Sequence, residues 1–259
     1  MFGYCPLSLV PLRLDPSHRS EMVNQMLFGE WFRLEQEAGD WLQICLLHDG
    51  YRAYVERQAV VMTESEPDHE GFDFVVDNRI MRLCNRSGIF PAVDVVQGTR
   101  LKGSGPYSFF LHRQQYDSDI PAQPLPKVLD TERLILRACS WIGAPYLWGG
   151  RSIFGFDCSG FIQQLFRTEG FSLPRDAWQQ AQCGLRTDGL AAAATADLAF
   201  FGSGEKINHV GLLLTNNTII HASGQVKISM LDETGILADD GKHYSHKLLY
   251  ISRVVSVKK

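Results

Sequence analysis

The sequence predicts an α+β chain in which small all-β units come first and helices followed by an antiparallel sheet come second. Three observations carry this. Up to about residue 125, short alternating apolar–polar runs are broken by turn residues. The segment DIPAQPLPK (119–127), with three prolines in nine residues, reads as an extended linker. Beyond it the apolar residues first recur at helical spacing and then fall into strand-like runs.

Taken in order, GEWFRLEQEAGDW (29–41) reads as strand, acidic turn and strand. WLQICLL (41–47), the turn HDG and YRAYV (51–55) repeat the pattern of a small β-barrel with hairpin turns. SEMVNQMLFG (20–29) is amphipathic and fits either a short helix or a strand. EPDHEG (66–71) fits a linker, and FDFVV (72–76) through GPYSFFLH (105–112) is β-like again. These signals divide the chain into 1–65, 66–124 and 125–259. In the last part, TERLILRACSWIG (131–143) places Leu134, Ile135, Ala138, Trp141 and Ile142 at helical spacing. Thr131 is its candidate cap, and Gly143 to Pro145 stop it. A second helix begins near Asp157 or Cys158, carries Phe161, Ile162, Leu165 and Phe166 on one side, and stops at Gly170. DLAFF (197–201), HVGLLL (209–214), TIIHAS (218–223) and KLLYISRVV (247–255) read as strands.

The 259 residues carry a formal net charge of −4, which supplies no basic field for nucleic acid or an anionic membrane. No apolar run approaches the roughly 20 residues needed to cross a bilayer. The opening MFGYCPLSLVPLR lacks a basic region followed by an apolar core, so the chain, taken as complete, is expected in the cytoplasm. The six cysteines form no CxxC pair. Cys5, Cys45, Cys84 and Cys139 read as buried small hydrophobes, and Cys183 as half exposed. No HxH or HExxH spacing occurs, and neither a metal nor a cofactor is expected. His243 and His246, in a Gly- and Asp-rich stretch, read as a solvated turn. GSGEK (202–206) lacks the spacing of a phosphate-binding loop and reads as a hairpin. The oligomeric state is not encoded in any of these patterns.

Cys158, in GFDCSG (155–160), stands where the second helix starts. Helix N-termini favour negative charge, so a thiolate is expected there with a lowered pKa. Ser159 and Gly160 are small enough to let a substrate backbone approach, and their amides suit an oxyanion hole. The alternative for this fragment is a buried cysteine near a turn. A thiolate needs a base. His209 and His221 lie on two apolar strands joined by the turn TNN (215–217). Pairing centred on Asn216 sets 209 near 223 and 211 near 221, and one register step brings the two rings within reach. His209 is then the candidate general base, and His221 the group that orients it and fixes its tautomer. In PYLWGG (145–150), Tyr146 is placed to donate at a reacting carbonyl, and Trp148 reads as core. Asp157 is both a candidate helix cap and a candidate partner for a substrate amine.

Residues 125–259 resemble the NlpC/P60 family of cysteine peptidases, within the papain-like superfamily. The resemblance rests on PYLWGG (145–150), FDCSGF (156–161), LPRDAWQQ (173–180), DLAFFG (197–202), HVGLLL (209–214) and IIHASG (220–224), in the family's order and spacing. It implies Cys158 as nucleophile, His209 as base, His221 as the third, polar member, and Tyr146 beside the oxyanion. It also implies that Asp157 and Ser159 hold the substrate's amine end. The run 13–55 resembles the first bacterial SH3-like domain of a subgroup that cleaves murein peptides, with 70–120 as a diverged second one. In that subgroup the first such domain reads a free L-Ala amino terminus, and Glu21 with Tyr51, or else Tyr54, are the candidates for this. The implied reaction is hydrolysis of the γ-D-glutamyl–diamino acid bond in small murein peptides of the form L-Ala-γ-D-Glu-diamino acid. A thiol-dependent acyltransferase or transpeptidase and a non-catalytic wall-fragment binder are the alternatives. Two departures stand out: Ala177 replaces the family's frequent Ser or Thr, with Trp178 beside it as a possible cleft residue, and TADL (195–198) replaces PGDL.

Overall fold

The computed structural model describes residues 1–67 and 71–254. Asp68, His69 and Glu70 of the expected linker EPDHEG, and Val255 of the last expected strand, lie outside them. The chain divides into two compact units, Met1–Pro126 and Lys127–Lys259.

The first unit is all β and holds two antiparallel seven-stranded sheets. In the first, the strands run in the order Met22–Leu27, Leu9–Arg13, Arg52–Glu56, Trp41–Leu46, Trp31–Ala38, Phe2–Tyr4 and Val61–Thr63. The ambiguous stretch 20–29 is therefore a strand, with Met26 and Leu27 buried. The acidic turn is confined to Gly39 and Asp40, where Gly39 takes φ 63°, the left-handed conformation a tight hairpin demands. Val10, Leu12, Phe32, Leu42, Ile44 and Val55 fill its core.

The second sheet is built from strands between Phe74 and Pro124 around Met81, Leu83, Val95, Phe109 and Tyr116, and Tyr4, Phe28 and Trp31 join that cluster. Two expectations change here. The proline-rich segment is not wholly a linker, because Gln123–Pro124 pairs with Phe74–Val75 as the sheet's last strand. An edge position tolerates the proline, which has no N–H to donate. Cys84 is exposed rather than buried: in strand Ile80–Asn85 the inward residues are Met81, Leu83 and Asn85, and strand alternation turns Cys84 outward. Cys139 is half-buried for the helical counterpart of this reason, lying beside the inward Ala138.

In the second unit two helices precede the sheet. Helix Thr131–Ser140 turns Leu134 and Ala138 to the core, with Trp141 just beyond it. Ile142, expected on that face, is exposed. The cap is Asp130 and not Thr131: its carboxylate accepts the Arg133 N–H at 3.1 Å. Helix Cys158–Thr168 is buried along its length and packs on strands Lys206–Leu213 and Thr218–Ser223. Phe161, Ile162, Leu165 and Phe166 meet Phe200, Val210, Leu212 and Ile220 in one cluster. Burial of each such side chain stabilises by about 1.5–3 kcal/mol, which presses the N-terminus of this helix, and Cys158 with it, onto the sheet. Stacking of Trp141 on Phe156, at 4.9 Å between centroids, supports it from behind.

The sheet runs Leu185–Arg186, Tyr244–Arg253, Leu198–Ser203, Lys206–Leu213, Thr218–Ser223 and Gln225–Met230, with Gly235–Leu237 paired to Tyr244–Arg253. It is apolar on both faces, because Ala199, Phe201, Leu213, Ile219 and Ile251 form a second cluster behind it. The TADL departure also has a structural consequence: Ala196 keeps a left-handed φ of 71°, a conformation that costs a residue with a Cβ roughly 1–2 kcal/mol. Among the described residues no helix is long and apolar enough to cross a membrane.

Candidate active site

Cys158 opens its helix, and Asp157 is the N-cap, accepting the Gly160 N–H at 2.6 Å. Gly160 has no room for a side chain: a Cβ there would fall on the Gly150 carbonyl oxygen. The PYLWGG loop is pinned from two sides. Tyr146 N–H donates to the Gly224 carbonyl at 2.9 Å, and Leu147 N–H to that of Phe156 at 3.0 Å. This holds the half-buried Tyr146 close enough for its charge to be felt at Cys158 and Asp157, and burial together with those neighbours pushes its hydroxyl up to about 12. It is therefore a hydrogen-bond donor at any physiological pH. Trp148, expected in the core, is exposed.

The two histidines meet as the hairpin requires, without the register step. Leu212 pairs with Ile220 and Leu213 with Ile219, a register centred on Asn216. Continued one pair further, it sets Gly211 opposite His221 and leaves His209 on the diagonal. The diagonal closes because Gly211 carries no side chain. His209 Nε2 lies 2.8 Å from His221 Nδ1, and His221 Nε2 lies 3.1 Å from Ser229 Oγ. If His209 Nε2–H donates to His221 Nδ1, and His221 Nε2–H to Ser229, then His209 Nδ1 is left unprotonated as an acceptor. A Cβ on Gly211 would sit 2.6 Å from Ile219 Cδ1 and 2.9 Å from His221 Cβ. Gly211→Ala is accordingly expected to cost about 1–3 kcal/mol in stability, read by urea unfolding, and to lower kcat/KM at least as strongly as it disturbs the histidine pair.

The Val210 N–H points at the Cys158 thiol, which ties that thiol to the residue next to His209. That N–H, the Ser159 N–H and Arg175 all favour the thiolate, yet burial outweighs them and pushes the thiol up to about 11. This corrects the expectation of a lowered value: the helix terminus acts as foreseen, but the site is too dry for it to prevail. Burial and the neighbouring histidines push His209 well below its usual range. Both groups therefore rest neutral, and the imidazole is available to take the thiol proton.

Asp157 does more than cap. Its carboxylate accepts Gly149 N–H at 2.8 Å, Arg175 through two nitrogens at 3.0 and 2.5 Å, and Ser159 Oγ at 3.3 Å. Arg175 also donates to Ser159 Oγ at 3.0 Å. With Gly160 these donors saturate the carboxylate, so a substrate ammonium would have to displace one of them. Gln180 Nε2 donates to the Ser159 carbonyl at 2.9 Å, and Ala177 is buried on the same short helix while Trp178 is exposed.

Sequence patterns did not single out Arg175, Gln180, Gly211 or Ser229. The two-sided partnership of each becomes visible only when distant segments meet. His246 was read as part of a solvated turn; it lies on strand Tyr244–Arg253 and stacks on His209, centroids 4.0 Å apart and planes at 27°. Phe201 borders the His209 ring at 5.8 Å. His243 does remain exposed, paired with Asp240.

Comparison with known proteins places these features. Residues 143–247 match the NlpC/P60 family, and residues 12–60 match the bacterial dipeptidyl-peptidase Sh3 domain. The gamma-D-glutamyl-L-lysine dipeptidyl-peptidase of Bacillus subtilis is 31% identical over 230 residues, covering 81% of this chain and 76% of that protein. The protein of the same name from Bacillus cereus is 24% identical over 256 residues, covering 86% and 74%. A solved NlpC/P60 family protein from Bacillus cereus superposes over 99% of this chain and 100% of its own, with a TM-score of 0.82 at 19% identity, a likeness of fold.

Proposed function

This chain belongs to the NlpC/P60 family of cysteine peptidases, and from that premise we propose that it hydrolyses the γ-D-glutamyl–diamino acid amide of murein peptides whose L-Ala amino terminus is free. The observation that supports it most is the relay from His209 through His221 to Ser229, set beside a thiol that faces the neighbouring Val210 N–H. In the reaction Cys158 Sγ attacks the γ-carbonyl carbon while its proton passes to His209 Nδ1. The Cys158 N–H and the Tyr146 hydroxyl donate to the oxygen that becomes negative. His209 then protonates the departing amine of the diamino acid, leaving a thioester. Water attacks the thioester with His209 as base, which restores the thiol and releases L-Ala-γ-D-Glu.

The free amino terminus is the second half of the proposal. Because Asp157 and Ser159 are already committed to Arg175, they support the amine end by shape and dipole, and the ammonium is assigned to Glu21 and Tyr51. An acylated alanine carries no ammonium and so cannot supply the charge that complements the Glu21 carboxylate. The test compares kcat/KM on L-Ala-γ-D-Glu-L-Lys with its N-acetyl form. The free peptide is expected to be favoured by at least ~10²-fold, with Glu21→Gln removing most of the difference. Equal rates on the two peptides would contradict the amine-reading claim.

A further inference from the structure

The second unit has a polar cavity of about 320 Å³ whose lining includes Gly143, Pro145, Ser223, Gly224, Lys227 and Asp239. It opens beside catalytic groups on two sides. Pro145 precedes Tyr146, and Ser223 follows His221 by two residues. Lys227 is the cross-strand partner of His221, so the two side chains share a face. Its charge and that of Asp239 both reach His221, acting on its proton affinity in opposite senses. Among the described residues of the lining, the charged ones are this pair. Lys227 Nζ contacts Asp239 Oδ1 at 2.9 Å and Oδ2 at 2.8 Å. The Asp239 side chain is 80% exposed, and an ion pair so hydrated holds together by less than about 1 kcal/mol, so a ligand can separate it.

We propose that this cavity is the subsite for the departing diamino acid, with Lys227 taking a carboxylate of that residue and Asp239 its side-chain ammonium. The inference rests on the reaction proposed above. The base that takes the thiol proton must deliver it to the leaving nitrogen, so the leaving residue lies on the histidine side of Cys158. Going outward from His221 across the sheet, the next charged side chain on that face is Lys227. A diamino acid that has lost its acyl partner presents at least one carboxylate and, several bonds away, an ammonium. That is the charge pattern a separated Lys227–Asp239 pair complements, and few other small leaving amines carry it. The space beside Gly224 in the lining is open, since a Cβ there would meet no atom within 4 Å.

The experiment sets two substrates with the same acyl half against each other. One is L-Ala-γ-D-Glu-L-Lys. The other is L-Ala-γ-D-Glu 7-amido-4-methylcoumarin, whose leaving amine bears no charge. The ratio of kcat/KM on tripeptide to that on arylamide is expected to fall about tenfold in both Lys227→Met and Asp239→Asn. Amidating the lysine carboxylate should lower the wild-type ratio similarly and have little further effect in Lys227→Met. A ratio unchanged in both variants, with wild type cleaving both substrates, overturns the subsite alone. Wild type that leaves both γ-amides intact overturns the underlying reaction, and the subsite with it.

Discussion

Cys158→Ala is expected to abolish peptide cleavage, and His209→Ala to slow it by ~10²–10⁴-fold with the fold retained. The size of the second effect follows from the resting state. A thiol held up near 11 by burial is almost wholly protonated at neutral pH, so attack depends on a base taking the proton as the bond forms. His209, kept neutral by the same burial, is the imidazole next to Val210, and donation from its Nε2 to His221 leaves its Nδ1 open. The sign of the pH dependence is fixed by these directions. A raised thiol releases its proton only as pH climbs, so alkylation of Cys158 by iodoacetamide in the free enzyme should accelerate through the alkaline range towards about 11. A flat alkylation profile from neutral pH upward would instead reveal a preformed thiolate–imidazolium pair.

Arg175→Met is the variant expected to lose most stability, about 3–5 kcal/mol. The guanidinium is buried, and it forms an ion pair with the buried Asp157 carboxylate. Removing it leaves a charge that Gly149, Gly160 and Ser159 bind but do not neutralise. The cost falls on the N-cap that positions Cys158, so activity should drop as well. Denaturant unfolding of the full chain reads the effect on the catalytic unit. Asp157→Asn in the Arg175→Met background should return part of the loss, because the unpaired charge is then gone. An Arg175→Met protein as stable as wild type would mean that the pair is not desolvated.

Cys158 and the two histidines were legible as candidates because each is tied to a local pattern. Cys158 follows an N-cap residue at a helix start, and the TNN turn sets the register that leaves His209 on the diagonal from His221. The strands between 197 and 223 were legible for the same reason, as short apolar runs between turn residues. What escaped depends on contacts between remote segments. Arg175 lies in a loop and acts through a carboxylate 18 residues away. Gly211 looks like any glycine in an apolar strand until His221 is placed opposite it. His246 sits in a polar stretch whose composition says turn, and only its pairing with Ile236 draws it into the sheet and over His209. Strand Gln225–Met230 went unread because a single glycine, Gly224, separates it from the strand before. The thiol's raised pKa shows the same limit: a helix N-terminus is visible in sequence, but the degree of burial around it is not.

Covalent catalysis here requires a thioester between Cys158 and the γ-carboxyl of D-glutamate. The direct measurement is acid quench of the enzyme during turnover of L-Ala-γ-D-Glu 7-amido-4-methylcoumarin, followed by mass spectrometry of its peptides. An adduct with the mass of the L-Ala-γ-D-Glu acyl group is expected on the peptide containing Cys158, released by hydroxylamine and absent from Cys158→Ala. Turnover with no adduct at Cys158, or with the acyl group on a different residue, would contradict it.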